Sequence, residues 1–231
     1  MKLYILATGP SVNNITNKEW QFLKNQKTLA ISWFVKHPFF EPTYHYFHEY
    51  SQKSEMVKYI EKWKNTIFLT TKDHLLPKNA VDEKRYIYIK HTPFKEAFCG
   101  KPWLINQPKP PCDFEKVWAQ SFDEKLFGFR GTLTAALNAG YILGYREFYL
   151  CGVDLWDNSH FYNSEEPSGF NKILQEKGIN IDKHSTAVSI DGIRTIVDCL
   201  QWLNRYLRIY ITNKDSLLVK EKAMEFKSII C

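Results

Sequence analysis

The sequence predicts an α/β domain with a mostly parallel sheet flanked by helices. Short apolar runs typical of buried strands alternate with helical patterns along most of the chain. Residues 130–154 (RGTLTAALNAGYILGYREFYLCGVD) form one such unit, in which an Ala- and Gly-rich helix leads into a buried strand. The length of 231 residues and the hydrophobic fraction of 44% suit one domain with a substantial core. We therefore expect a single Rossmann-like domain over residues 1–231.

The first half of the chain predicts five strands and two helices. The strands are expected over residues 3–7, 28–34, 44–48, 66–70 and 86–90. Thr16 can cap a first helix over residues 17–25, and Glu19 completes a capping box three residues later. Helical spacing of apolar residues predicts a second helix over residues 51–64.

The second half begins with an irregular stretch. Five prolines between residues 92 and 112 exclude a regular helix and predict a surface excursion. Further elements are expected as a helix over residues 114–127, a strand over 146–150 and a strand over 208–212. Ser189 precedes a periodic apolar pattern that predicts a long helix from residue 190 to residue 203.

Two segments stand apart from this alternation. Residues 155–188 are polar and lack clear periodicity, which favours a mobile lid over a passive connector. Residues 214–231 mix apolar residues with lysines and form an amphipathic tail. The tail can pack against the domain or make a peripheral contact with a membrane surface.

Composition excludes several classes of protein. The five cysteines include no CxxC pair, so neither a disulfide framework nor a zinc site is indicated, and we expect reduced thiols in the cytoplasm. No window approaches the roughly 20 apolar residues of a transmembrane helix. The formal charge of +6 suits an anionic substrate or a membrane surface, and without a dense basic stripe it gives little support for a nucleic-acid partner. Homo-oligomerisation stays open.

Polar and small residues follow several of the predicted strands. They are Thr8 to Ser11 after the first strand, Ser32 and His48 at the ends of the second and third, and Gly152 to Asp154 after the strand at 146–150. Arg130 and Thr132 stand at the start of the preceding helix, where free backbone N–H groups attract phosphate. Ligands of open α/β sheets bind beyond the carboxyl ends of the strands, so we expect a ligand site at this edge. The turn at Gly9 lacks the dinucleotide fingerprint.

Taken together, these motifs resemble the bacterial lipooligosaccharide sialyltransferases of glycosyltransferase family 42. The resemblance runs nearly end to end. Its motifs are Gly9-Pro10-Ser11, Arg130-x-Thr132, the specific run at residues 143–154, Trp156 and Tyr162, His184-Ser185, and the segment at residues 213–218.

The resemblance implies a GT-A-like fold variant and an inverting transfer of sialic acid from a CMP-activated donor to a surface glycan, without a metal or other cofactor. His184 matches the family's general base, and an imidazole suits that step near neutral pH. A histidine with a merely structural hydrogen bond is the alternative. Tyr162 and Trp156 would donate hydrogen bonds to the departing phosphate, and Arg130 is placed with them as catalytic.

The implied donor-binding residues include four departures from the family pattern. The set is Thr8, Gly9, Pro10, Ser11, Ser32, His48, Thr132, Leu133, Gly152, Val153 and Asp154. Thr8, Ser32 and His48 stand where the family has asparagine, and Leu133 stands where it has a serine thought to meet the donor carboxylate. Another nonulosonic acid, Kdo or a different nucleotide sugar therefore stays open as donor. So do a non-sugar transferase or hydrolase on this scaffold and a degenerate nucleotide-binding module in polysaccharide assembly.

Overall fold

The structure is a computed structural model that describes residues 1–46, 53–71, 81–90, 97–98, 101–156, 160–162, 184–189 and 191–230. The lid predicted at residues 155–188 falls mostly outside these ranges, and so does His48.

An eight-stranded sheet, parallel throughout, organises the chain. In chain order its strands are β1 (Lys2–Leu6), β2 (Thr28–Ile31), β3 (Tyr44–Tyr46), β4 (Ile67–Thr70), β5 (Tyr86–Tyr88), β8 (Glu147–Cys151), β9 (Arg208–Ile211) and β10 (Glu225–Phe226). Their order across the sheet is β10-β9-β8-β1-β2-β3-β4-β5, and every pairing is parallel. The predicted α/β class is confirmed. A small antiparallel hairpin, β6 (Ala97–Phe98) with β7 (Lys101–Pro102), lies within the proline-rich excursion.

The strand order places a topological switch point beside β1. The chain proceeds outward from β1 through β2 to β5, then returns to β8 on the other side of β1 and continues to β10. Ligands of open α/β sheets bind at such a switch point, beyond the carboxyl ends of the strands.

Helices cover both faces of the sheet. They are α1 (Asn17–Lys24), α2 (Lys53–Ile60), α3 (Phe114–Val117), α4 (Thr132–Ile142), α5 (Ile196–Leu203) and α6 (Leu217–Lys220). Leu3 and Ile5 point to the face covered by α4 and α5, whereas Tyr4 and Leu6 point to the face covered by α1. The capping box of Thr16 and Glu19 forms as predicted.

The helix predicted at residues 114–127 is wrong beyond its first turn. Only Phe114–Val117 is helical, because the side chain of Asn138 on α4 holds the following backbone in an irregular path. Its Oδ1 accepts from the N–H groups of Ala119 (3.1 Å) and Phe127 (2.7 Å), and its Nδ2 donates to the Ala119 carbonyl (2.9 Å). These bonds satisfy buried backbone groups that a helix would otherwise satisfy.

The long helix predicted from residue 190 begins later, at Ile196. Asp191 and Gly192 both have positive φ (52° and 73°), which makes a turn. Ile193 then bridges to Leu104, and Thr195 caps α5 in a capping box with Asp198. The apolar pattern upstream of Thr195 thus reflects packing on a neighbouring segment.

The tail belongs to the domain. Leu217, Leu218, Met224 and Ile229 are buried, and Glu225–Phe226 extends the sheet as its edge strand. The apolar residues that suggested a membrane-facing surface are therefore largely used by the core. Within the part of the chain that the structure describes, every helix is too short or too polar to cross a bilayer.

The cysteines depart in part from the expectation of reduced thiols. Cys112 is disulfide-bonded, whereas Cys151 and Cys199 are free and buried. Burial raises the pKa of Cys151 to about 12, so this thiol stays protonated although it ends the strand that leads to the crevice.

Candidate functional site

A cavity of about 310 Å³ opens at the switch point, beyond the carboxyl ends of β1, β2 and β8. Twelve of the fifteen residues proposed from the sequence line it: Thr8, Gly9, Pro10, Ser32, Arg130, Thr132, Leu133, Gly152, Val153, Asp154, Tyr162 and His184. The parallel strands bring these residues together from segments up to 176 positions apart, from Thr8 to His184. The volume suits a small-molecule ligand.

The turns after β1 and β8 cross in close contact at one side of the cavity. A Cβ at Gly9 would lie 2.5 Å from Asp154 Oδ2 and 2.6 Å from the carbonyl oxygen of Gly152. Gly152 has a φ of +74°, and a Cβ there would lie 2.5 Å from Val12 Cγ2. Both positions require glycine, Gly9 for space alone and Gly152 for both space and backbone conformation.

Asp154 fastens this crossing to the C-terminal part of the chain. Its Oδ2 accepts from the Ser11 N–H (2.8 Å), and its Oδ1 accepts from Asn213 Nδ2 (2.8 Å). The Ser216 hydroxyl donates to the Val153 carbonyl at 2.7 Å. Each carboxylate oxygen of this buried residue thus has a protein donor, which indicates that Asp154 shapes the cavity wall.

Ser32 turns the chain sharply at the end of β2. Its φ is +50°, and the 3₁₀ turn Ser32–Lys36 replaces the longer strand expected from the sequence. The carbonyl of Ser32 accepts from His45 Nε2 at 3.0 Å. Burial lowers the pKa of His45 to about 4, so its ring is neutral near pH 7 and the donating nitrogen carries the proton.

The start of α4 faces the cavity with exposed backbone dipoles. Gly131, Thr132 and Leu133 line the cavity, and no side chain caps the helix, whose first turn carries no acidic residue. The helix N-terminus therefore presents N–H groups and a partial positive charge to a ligand. The Thr132 hydroxyl lies 3.5 Å from that of Ser32 on the opposite wall.

Arg130 does not present its whole guanidinium to the cavity. It is 6% exposed, and its Nη2 donates to the carbonyls of Ser185 (2.8 Å) and Val188 (2.6 Å). These bonds attach the segment that carries His184 to the start of α4.

His184 is held at two points. Its backbone N–H donates to the Leu155 carbonyl at 3.0 Å, which attaches His184 to the loop after β8. Its Nδ1 lies 2.8 Å from Thr186 Oγ1 and 3.2 Å from the Thr186 backbone nitrogen, and the ring caps the 3₁₀ turn Ser185–Ala187.

Tyr162 enters the cavity from a short, well-anchored segment. The Phe161 N–H donates to the Thr8 carbonyl (2.9 Å), Asn13 Nδ2 donates to the Phe161 carbonyl (3.1 Å), and the Phe161 ring is buried. The rings of His160 and Tyr162 stack with centroids 5.0 Å apart. Trp156, in contrast, is not among the cavity-lining residues, because its Nε1 donates to the Asp215 carbonyl and its side chain is 42% exposed.

Two other proposed residues have a different outcome. Ser11 contributes its backbone N–H to Asp154 and borders a separate cavity of about 70 Å³, and His48 lies outside the described residues. Sequence reasoning missed Trp33, His160 and Thr186, which also line the main cavity. Their positions next to Ser32, Tyr162 and His184 in the sequence were the available signal.

The sialyltransferase CstII from Campylobacter jejuni, in complex with cytidine 5′-monophosphate, superposes with a TM-score of 0.52 at 12% identity, covering 99% of this chain and 86% of CstII. The chain has the sialyltransferase fold. The α-2,3-sialyltransferase Cst-I from the same organism aligns at 14% identity over 99% of this chain and 80% of its own, with a TM-score of 0.49. No protein-family model and no curated protein matches the sequence.

The sialyltransferase fold agrees with the resemblance seen in the sequence motifs. At this identity the likeness establishes architecture, and activity has to be argued from the cavity. Among the described residues, no cluster of three or more His, Cys, Asp or Glu side chains is arranged to hold a metal ion.

Proposed function

We propose that the protein is an inverting glycosyltransferase that moves sialic acid or a related acidic sugar from a CMP-activated donor to a glycan acceptor. The observation that carries this proposal is the cavity at the switch point, which unites twelve of the fifteen residues proposed from the sequence. CMP is also the ligand of the CstII structure with the same fold.

The electrostatics of the cavity favour an anionic donor. The uncapped start of α4 opens into it, and Asp154, the one carboxylate among the lining residues that the structure describes, is already bonded to Ser11 and Asn213. Hydrogen-bond donors can then stabilise the charge that develops on the leaving phosphate, which in this proposal requires no metal. Tyr162 is the donor that we assign to that phosphate.

His184 is the proposed general base. It takes the proton from the acceptor hydroxyl while the acceptor oxygen bonds to the anomeric carbon and the bond from that carbon to the CMP oxygen breaks. Attack from the face opposite CMP inverts the configuration. The proton is then on His184, and the electron pair of the broken bond leaves with CMP.

This role requires one particular tautomer of His184. If Nδ1 carries the proton, it donates to Thr186 Oγ1 across the 2.8 Å contact, and Nε2 has the lone pair that a base needs. If Nδ1 instead accepts from the Thr186 backbone N–H at 3.2 Å, Nε2 is protonated and cannot act as a base. The 2.8 Å contact is compatible with donation in either direction, and in the cap described above Nδ1 accepts from the Thr186 N–H. We propose that the reactive state uses the first tautomer, because only that form leaves a lone pair on Nε2.

The sugar itself is the less constrained part of the proposal. Leu133 lines the cavity at the start of α4, where the family pattern has a hydroxyl for the donor carboxylate. This favours testing related acidic sugars, including other nonulosonic acids and Kdo, alongside sialic acid.

A thermal-shift series tests the donor class. CMP and CMP-sialic acid should raise the melting temperature, since a ligand at 100 times its Kd stabilises a protein by about 2.7 kcal/mol. UDP and GDP sugars, with or without Mn²⁺, should have little effect. A larger shift with UDP-sugar and Mn²⁺ than with CMP would show that the donor is assigned wrongly.

A further inference from the structure

A lysine stands beside the cavity without having been singled out by any motif. Lys36 is the last residue of the 3₁₀ turn Ser32–Lys36, and it is half-buried. Its Nζ lies over two aromatic faces, 4.8 Å from the ring centroid of Trp33 and 4.5 Å from that of Tyr162. Both rings line the cavity, so the ammonium group is held at its margin.

The charge of Lys36 is not neutralised within the described part of the chain. The ion pairs there involve Lys116, Arg194, Arg208 and Lys220. Arg130, a second cation at the cavity, directs its Nη2 to the carbonyls of Ser185 and Val188. Lys36 is thus a positive charge fixed by two rings of the cavity wall and available to an anion.

We propose that Lys36 binds the phosphate of the nucleotide donor together with Tyr162. This inference rests on the proposed function, in which Tyr162 donates to that phosphate. Trp156 is the second phosphate donor expected from the sequence, but its indole N–H donates to the Asp215 carbonyl. Another side chain can therefore serve as the second donor to the phosphate. An Nζ at 4.5 Å over the Tyr162 ring is about two hydrogen-bond lengths from the phenolic oxygen, so one phosphate can accept from both.

The consequence for catalysis is electrostatic. As the bond from the sugar to CMP breaks, negative charge accumulates on the phosphate, and a nearby ammonium stabilises that charge more than it stabilises the ground state. Lys36 would therefore contribute to kcat as well as to donor affinity.

Calorimetric titration with CMP and with cytidine separates the phosphate from the base and ribose. Lys36→Met should weaken CMP binding by about 10–100-fold, the usual worth of a charge-assisted hydrogen bond, and leave cytidine binding unchanged. Lys36→Arg should retain most of the affinity. Lys58→Met is the matched control, because Lys58 Nζ also lies over a ring, 5.0 Å from the Tyr59 centroid, but away from the cavity lining.

Several results would overturn the inference. Unchanged CMP binding by Lys36→Met, an equal loss for CMP and cytidine, or a loss seen only with CMP-sialic acid would each remove Lys36 from the phosphate. The unliganded melting temperature of each variant confirms that it folds. A wild-type protein that fails to bind CMP would instead overturn the proposed function, and the Lys36 inference with it.

Discussion

The tautomer of His184 gives the most specific prediction about the reaction. Thr186→Val removes the hydroxyl that lies 2.8 Å from Nδ1, but it keeps the backbone N–H at 3.2 Å. It also keeps the methyl group, Cγ2, which packs near Gly131. The variant should therefore shift the neutral ring toward the Nε2–H form, which cannot accept a proton from the acceptor.

The expected size follows from the single hydrogen bond that is lost. A neutral hydrogen bond contributes about 1 kcal/mol net, which changes a tautomer ratio by roughly 5-fold, and leaving the Nδ1–H donor unpaired raises this toward 10-fold. We expect kcat to fall by about 5–10-fold, with the KM for the donor and the Kd for CMP unchanged. Thr186→Ser retains the hydroxyl and should restore kcat.

The assay is CMP release from CMP-sialic acid in the presence of a glycan acceptor, measured across the pH range of histidine titration. Ser189→Ala is the matched control, because it also removes a hydroxyl from this segment. The Ser189 hydroxyl donates to the Ile193 carbonyl at 2.8 Å and does not contact His184. A Thr186→Val variant with wild-type kcat would refute the tautomer assignment. So would a Thr186→Ser variant whose kcat is as low as that of Thr186→Val.

Two further predictions concern stability. In urea unfolding, Gly152→Ala should lower the unfolding free energy by about 1–3 kcal/mol more than Gly192→Ala does. Both glycines have φ near +73°, but of the two only Gly152 has atoms in the way of a Cβ, which would lie 2.5 Å from Val12 Cγ2. Equal losses would show that the crossing of the turns after β1 and β8 relaxes freely. Stability should also fall as the pH drops from 6.5 towards 4, by about 3 kcal/mol from His45 alone, because its folded pKa is about 4 and the unfolded chain takes up a proton that the folded chain excludes. Unfolding free energies that stay flat over this interval would contradict the burial of a neutral His45.

The parts of the fold that follow from local pattern were predicted from the sequence. Thr16 and Glu19, which are only three positions apart, form a capping box, and each of the central strands is an apolar run, so both signals are local. The parallel arrangement then determines which strand ends meet. Twelve of the cavity-lining residues could therefore be predicted from the sequence alone.

The remaining features depend on contacts between distant segments. Asn138 prevents the helix at residues 118–127 through bonds to Ala119 and Phe127, and nothing within that stretch signals it. The positive φ of Ser32 occurs beside a bond from His45, which lies 13 residues later. The hydrogen bond from Asn213 to Asp154 likewise joins residues that are 59 positions apart in the sequence.

The positions of residues in and beside the cavity were missed for a related reason. Lys36 gains its position by lying over Tyr162, a contact that spans 126 residues and that neither motif nor periodicity encodes. Thr186 matters through its distance from His184 Nδ1, which depends on the 3₁₀ turn between them. Trp156 was expected in the cavity, yet the loop after β8 directs its indole to Asp215.

The measurement that tests the proposed function most directly is His184→Ala in the transfer assay, paired with titration of CMP. General-base catalysis predicts a fall in kcat of about 10²–10⁴-fold with CMP affinity nearly unchanged, because the imidazole acts on the acceptor oxygen. The wild-type rate should also decline as the pH drops through the imidazole pKa. A His184→Ala variant that transfers sugar at the wild-type rate with the same pH profile would show that this histidine is structural.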